Sequence, residues 1–330
     1  MIDSSVSQIT VGLPGRAGDP DFHLETYVAG MDNVGPAVMF VHGFPDLALG
    51  WQNQFAAVAS AGYRVIAPDM RGYGGSSCPL DVDQYSLSEL TGDLVALLDA
   101  LDIDQAILVG HDWGGFVTWG ASVLHPERVV GVAAACTPYM PFPSVAKHLA
   151  VVEGEVERQY VAWFQEPGIA ETHMQDHVET IVTNIMRSSV PLREQYESAL
   201  RSDGKISMNP FLNPKPGAGT GNLLLDDESY AHYVKSFTDT TFRGGINWYR
   251  NIDQNAANHP EVGVRPLDIP CLMLTAEWDP GLRPEFAADM PERCSQLEMH
   301  MIEKSGHWVQ QEHSELFNDY LLDWLNRYFA

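Results

Sequence analysis

Cysteine is scarce: the 330 residues hold four (Cys78, Cys136, Cys271 and Cys294), with no C-x-x-C spacing. This is too few for a disulfide framework, and reduced thiols fit a cytoplasmic setting. Basic residues are scarce as well: 19 Lys+Arg stand against 44 Asp+Glu, a net charge of −25. Such a field repels phosphate backbones and anionic headgroups, which argues against nucleic acid and membrane surfaces as partners. The acid excess serves ordinary solubility or adaptation to a salty habitat, and melting in molar salt separates the two. Long apolar runs are missing: none approaches the ~18 residues of a membrane span, and the N-terminus lacks a basic stretch leading into an apolar one. What remains, with 45% hydrophobic and 10% aromatic residues, is the composition of a soluble globular chain with ample core.

Apolar, β-branched runs bounded by turn residues recur at 37–41, 63–67, 106–109 and 129–135, with helical patterns at 51–61, 87–101 and 114–124 between them. Strands alternating with helices predict a mostly parallel sheet. The signature returns with short strands at 271–275 and 297–302 and an amphipathic helix at 314–329. Between these blocks lie aromatic-rich helical stretches (145–164, 171–187, 229–238) broken by Gly/Pro/Asn-rich loops such as 209–222. The organisation expected is an α/β core in two parts, 1–136 and 267–330, with a helical cap inserted at 137–266.

Gly110-His111-Asp112-Trp113-Gly114 follows a strand and opens a helix, the setting of the nucleophile elbow G-x-S-x-G with Asp in the nucleophile slot. An Asp at a helix start is often only a cap, but here glycines flank it at the elbow spacing and partners follow downstream. A carboxylate attacking an acyl carbon would give an anhydride, whereas attack on an electrophilic sp³ carbon gives an ordinary alkyl ester. Epoxides and alkyl halides are therefore the natural substrates, and serine-type esterase chemistry is disfavoured.

Two loops after the late strands supply partners: Ala276-Glu277-Trp278-Asp279-Pro280 and Ser305-Gly306-His307-Trp308. The order nucleophile, acid, histidine is that of the elbow-bearing fold. An imidazole with a pKa near 6.5 is partly neutral at working pH, so His307 is expected to activate water, with Asp279 holding its other nitrogen. Glu277 is the rival acid; alternation along an extended segment favours Asp279.

With these residues in view, the sequence resembles a soluble epoxide hydrolase of the α/β-hydrolase superfamily over nearly its whole length. The resemblance runs through His42–Asp46, Asp69–Gly74, Gly110–Gly115, Phe164-Gln165-Glu166-Pro167-Gly168, Phe242–Asn251 and Gly306-His307-Trp308. It implies an α/β-hydrolase fold and hydrolysis of an epoxide to a vicinal diol through an ester on Asp112. It also implies an oxyanion hole from the backbone N–H groups of Phe44 and Trp113, with His42 serving loop packing. Two cap tyrosines of the family match Tyr160, four residues before Phe164, and Tyr249, in Asn247-Trp248-Tyr249-Arg250. Ring opening leaves a basic alkoxide, and phenols of pKa near 10 can hold and protonate it while staying neutral at pH 7. Tyr230 and Tyr233 are weaker alternatives, and Arg71 and Arg250 fit structural ion pairs.

Trp163, Phe164 and Trp248 are expected to line the pocket and favour an apolar substituent by area burial. No metal or organic cofactor is implied, and a homodimer through cap surfaces is the oligomeric expectation. A haloalkane dehalogenase shares the Asp nucleophile and a neighbouring Trp but has no use for paired phenols, and Phe44 stands where that family often has a polar Asn. A catalytically silent ligand-binding member of the fold would ordinarily lose a residue of the Asp112, Asp279, His307 set.

Overall fold

Alternation along the central strands sends side chains to opposite faces of one sheet, and both faces are covered by helices. The computed structural model describes residues 5–188, 208–212, 214–217, 219 and 221–330. Its strands are β1 (Val6–Gly12), β2 (His23–Ala29), β3 (Ala37–Val41), β4 (Arg64–Pro68), β5 (Ala106–His111), β6 (Val129–Ala135), β7 (Leu267–Ala276) and β8 (Cys294–Ile302). They form a single eight-stranded sheet in the order β1-β2-β4-β3-β5-β6-β7-β8. From β4 onward every pair is parallel; β1 with β2 and β2 with β4 are antiparallel.

The antiparallel hairpin at the start was not legible as strands in the sequence. Its register runs from Val6↔Ala29 to Gly12↔His23. At the sheet edge β1 buries only Val11, so polar residues break the apolar run that marks the inner strands. The inner strands are apolar along their central residues because both faces are covered there. Phe40, Ile107, Ala133 and Leu272 pack with Trp51, Phe55 and Trp324 on one face, while Met39, Leu108, Val132 and Cys271 pack with Leu94, Val117 and Trp119 on the other.

The helices, in chain order, are α1 (Gln52–Ser60), α2 (Leu87–Ala100), α3 (Trp113–Leu124), α4 (Val145–Val151), α5 (Tyr160–Trp163), α6 (Ile169–Gln175) and α7 (Val178–Ile185). They continue with α8 (Asp227–Thr240), α9 (Arg243–Arg250), α10 (Ile252–Asn258), α11 (Val309–Glu312) and α12 (Ser314–Phe329). Helices α4 to α10 all lie between β6 and β7 in the chain; residues 189–207 of the expected cap, and 213, 218 and 220 of the expected 209–222 loop, fall outside the described residues.

Two helices expected as continuous are broken. The 145–164 stretch splits because Glu153 and Gly154 take φ of 54° and 85°, a left-handed pair no α-helix accommodates. The 171–187 stretch splits at His177, whose φ of −132° leaves the helical region. Local caps set other boundaries: Ser86 Oγ accepts from Glu89 N at the start of α2, and Asp226 Oδ1 from Ser229 N at the start of α8. Among the described residues no helix is long and apolar enough to cross a membrane.

Candidate active site

Parallel strands point their C-terminal ends to one edge of the sheet, and open α/β sheets place their ligand crevice there. Four loops meet at that edge: Gly43–Asp46 after β3, Asp112 after β5, Asp279 after β7 and His307 after β8. Asp112 sits between strand and helix with φ 52° and ψ −123°, a backbone state rarely adopted by a residue with a Cβ. Its carbonyl is held by Thr137 Oγ1 (2.7 Å) and Gly115 N (3.0 Å). Tight packing explains the glycine two residues on: a Cβ at Gly114 would lie 2.0 Å from the carbonyl oxygen of Val41.

The Asp112 carboxylate is divided between two environments. Oδ1 accepts the N–H of Phe44 at 2.8 Å, and the N–H of Trp113 also bonds the carboxylate. Oδ2 faces His307 Nε2 at 3.7 Å. Burial pushes the Asp112 carboxyl up, opposed by His307 and those two N–H groups. On its other side the His307 ring places Nδ1 2.8 Å from Asp279 Oδ2. Asp279 Oδ1 accepts N–H bonds from Gly281 and Leu282, both 2.9 Å. Burial alone would raise Asp279, but His307 and these two amides hold it well below the usual carboxylate range. Burial would likewise pull His307 down, yet Asp279, Asp112 and Asp46 raise it to about 9. The rival Glu277 is exposed and accepts from Lys304 N (2.8 Å), on the far side of the turn.

Above the carboxylate the inserted helices bring Tyr160 and Tyr249 together from α5 and α9, ring centroids 5.5 Å apart. Tyr249 packs edge-on to Trp113 at 5.1 Å. Burial, then Tyr160 and Asp112, push its phenol well above its ordinary pKa, so it stays protonated and able to donate. A cavity of about 830 Å³ is lined by Asp112, His307, Asp279, Tyr160, Tyr249, Phe44 and Trp113 together.

The three aromatics expected to line that cavity do not reach it. Trp248 is fully buried behind Trp113, stacked on His42 and edge-on to Tyr73, because the helical turn that aims Tyr249 inward sends its predecessor down onto the core. Trp163 packs on Phe164 and His173, and Phe164 lies behind Phe44, Tyr160 and Tyr249. The apolar lining comes instead from Phe116, Phe142, Phe211, Ile252, Phe286 and Trp308. Phe116 lies one turn into α3 from Asp112 and Trp308 directly follows His307, spacings that could have flagged both; Phe142, Phe211 and Phe286 carry no such local mark.

Several residues act around the site. His42 is buried: Met70 N donates to its Nε2 (2.9 Å), so its Nδ1 carries the proton and donates to Gly43 O (2.9 Å), and burial lowers its pKa to about 4. Arg71 pairs with Asp93 and Arg250 with Glu171, away from the cavity lining. Tyr230 hydrogen-bonds with Thr183, and Tyr233 donates to Asp46. Among the described residues His111, Cys136 and His307 form a cluster with metal-ligand spacing. His111 Nε2 and Cys136 Sγ both donate to the His307 carbonyl, at 2.7 and 3.4 Å, and the His307 ring is held by Asp279. The cluster thus braces the histidine loop.

The model of the alpha/beta hydrolase fold family matches residues 36–314. Epoxide hydrolase A of Mycobacterium tuberculosis is 36% identical over 88% of this chain and 90% of its own length. Bifunctional epoxide hydrolase 2 of Sus scrofa is 34% identical over 96% of this chain, which spans only 58% of that protein. The crystal structure of epoxide hydrolase A from Mycobacterium thermoresistibile superposes with a TM-score of 0.84 at 33% identity, covering 98% of this chain and 99% of that one. The chain belongs to the alpha/beta hydrolase fold family and, within it, to the epoxide hydrolases.

Proposed function

We propose that the chain hydrolyses an epoxide to a vicinal diol through an alkyl ester on Asp112. The observation that carries this reading is the pair of phenols, Tyr160 and Tyr249, meeting over Asp112 in one cavity. In the proposed cycle Asp112 Oδ2 attacks a ring carbon while the tyrosines hold the oxygen, and one of them protonates the alkoxide as the C–O bond breaks. Because Oδ1 is the atom bonded by Phe44 N, it becomes the ester carbonyl oxygen, already lying in its donors' reach. Neutral His307 takes a proton from water, hydroxide adds to the ester carbon, and the oxyanion forms on Oδ1. On collapse the C–O bond to the diol breaks, His307 gives its proton to the departing oxygen, and the carboxylic acid left on Asp112 loses its proton, which returns to the tyrosine. Asp279 keeps the imidazole oriented.

A dehalogenase would leave the buried phenol of Tyr249 and the half-buried one of Tyr160 without a task, and a silent binder would not need the complete Asp112, His307, Asp279 set. The mainly apolar cavity lining supports a neutral apolar epoxide as substrate. The division into core 1–136 and 267–330 with a cap at 137–266 belongs to the same proposal, supported by the helices between β6 and β7. So do a cytoplasmic location, which the four free thiols suit, and a homodimer through cap surfaces.

The test combines an epoxide panel, assayed beside haloalkanes and an aryl ester, with intact-mass spectrometry of His307→Gln. Without its base the ester accumulates, and the peptide carrying Asp112 gains the mass of one whole epoxide, since ring opening expels no leaving group. An unmodified Asp112 in the variant, while wild type consumes epoxide, would reject the covalent route. Gain of an alkyl group with halide release would favour the dehalogenase.

A further inference from the structure

Asp46 is a fully buried carboxylate, four residues past His42 and outside the cavity lining. Its Oδ1 accepts the phenol of Tyr233 at 2.5 Å and the N–H of Leu47 at 2.9 Å. Tyr233 is itself fully buried and comes from α8, in the inserted segment, 187 residues away in sequence. Asp46 also closes the turn that begins at Gly43, through Asp46 N to Gly43 O at 3.2 Å. Inside that turn lies Phe44, whose N–H bonds Asp112 Oδ1. The Phe44 ring is gripped by the same inserted segment, with Phe164, Phe211, Phe242 and Tyr249 at 5.3–6.3 Å. Helix α9 approaches so closely that a Cβ on Gly245 would fall 2.5 Å from that ring.

We infer that Tyr233 and Asp46 are positioning residues, whose buried hydrogen bond ties α8 to the Gly43–Asp46 turn and thereby aims the Phe44 N–H at Asp112 Oδ1. Seating of the inserted helices then completes the oxyanion hole, and hydrolysis of the ester depends on it more than formation of the ester does. The physical reason is geometric. A donor to an oxyanion is effective only within a few tenths of an ångström of its 2.7–3.1 Å window, and a turn fixed at one end by core strand β3 needs a second anchor to hold that precision. In alkylation the same N–H meets a carboxylate that is already charged and is losing its charge. In hydrolysis it meets charge that develops on Oδ1, so misalignment penalises the second step.

The inference rests on the alkyl-ester reading, and the experiment separates the two. Wild type, His307→Gln, Tyr233→Phe, Asp46→Ala and Asp46→Asn are mixed with styrene oxide as probe, quenched over milliseconds to minutes, and weighed intact. For Tyr233→Phe the alkylation rate should stay within about twofold, while ester hydrolysis slows about tenfold, so that alkyl-enzyme accumulates in the steady state and kcat and KM fall together. Asp46→Ala should do the same, and Asp46→Asn, which keeps an acceptor for the phenol, should hydrolyse the ester within about threefold of wild type. If Tyr233→Phe does not fold, the contrast between the two Asp46 variants decides. A lower Tm with an unchanged ester fraction, or equal loss in both half-reactions, would overturn the inference and leave only a structural anchor. No adduct even on His307→Gln would instead remove the covalent reading beneath it.

Discussion

Nε2 of His307 stands 3.7 Å from Oδ2 of Asp112, beyond the reach of a good N–H···O hydrogen bond but at a distance where charges still act strongly. In the free protein this carboxylate helps to hold His307 at about 9. Alkylation would remove the Asp112 charge, so the imidazole should lose its proton more easily in the ester, at the stage when a base is required. Single-turnover ester hydrolysis should rise with pH through a midpoint below about 9, and an NMR titration of the free protein's imidazole should give a midpoint near 9. A hydrolysis midpoint at or above the free value would contradict this coupling. The stability term has the matching sign: the folded pKa lies above the unfolded ~6.5, so the contribution is complete below that pH and is lost as pH rises through the folded value. The Tm advantage of wild type over His307→Gln should shrink accordingly.

Asp112→Ala should form no diol, since a methyl group cannot attack carbon. The carboxylate that raises His307 is also gone, so the imidazole of this variant should titrate lower than in wild type. Diol formation above a few per cent of wild type, with contamination excluded, would show that Asp112 is dispensable.

Tyr160→Phe and Tyr249→Phe each remove one donor to the developing alkoxide. Donors of this kind are commonly worth ~3 kcal/mol, so a single change should slow alkylation on the order of 10²-fold, and the double change should nearly stop it. Rapid-quench measurement of Asp112 alkylation is the check; a double variant that alkylates at the wild-type rate would remove both tyrosines from the mechanism.

Selectivity should follow the lining observed. Phe116 and Phe142 stack at 5.1 Å and face the cavity, so Phe142→Leu should alter the enantiomer ratio in chiral chromatography. Trp163→Phe, outside the lining, should leave that ratio unchanged. Trp248→Ala is expected to act on the fold, at roughly 3–5 kcal/mol for a large aromatic removed from the core. An enantiomer ratio that moves with Trp163 and not with Phe142 would mean the cavity has been assigned to the wrong aromatics.

Arg71 and Asp93 form a fully buried pair, Arg71 Nη2 reaching Asp93 Oδ1 at 2.5 Å. Asp93→Ala should destabilise by about 3–5 kcal/mol, because a buried guanidinium loses its main partner. Urea unfolding gives the number directly, and a change below about 1 kcal/mol would mean that Glu89, 3.3 Å from Arg71, carries the pairing instead.

Much of the site was legible because its chemistry is written locally. A strand, a glycine-flanked Asp and a helix occupy consecutive positions 106–124, so backbone geometry alone presents Asp112. Asp279 and His307 each follow a strand of the same parallel sheet, and parallel strands deliver their following loops to one edge. Side-chain direction within the inserted helices was not legible in this way. Trp248 and Tyr249 are neighbours in sequence, yet one lines the cavity and the other is buried behind it. The left-handed pair Glu153 and Gly154 resets the helical phase before Tyr160.

The sequence by itself determined where the groups proposed to attack, to take the proton and to orient it stand: Asp112, His307 and Asp279 each follow the end of a strand, and their assignment rests on residue type at those ends. Only the tertiary structure decided which aromatics line the cavity, that Thr137 braces the strained Asp112, and that Tyr233 reaches Asp46 across 187 residues. Those relations arise where separate elements pack, and no periodicity within one segment encodes the partner that another segment brings.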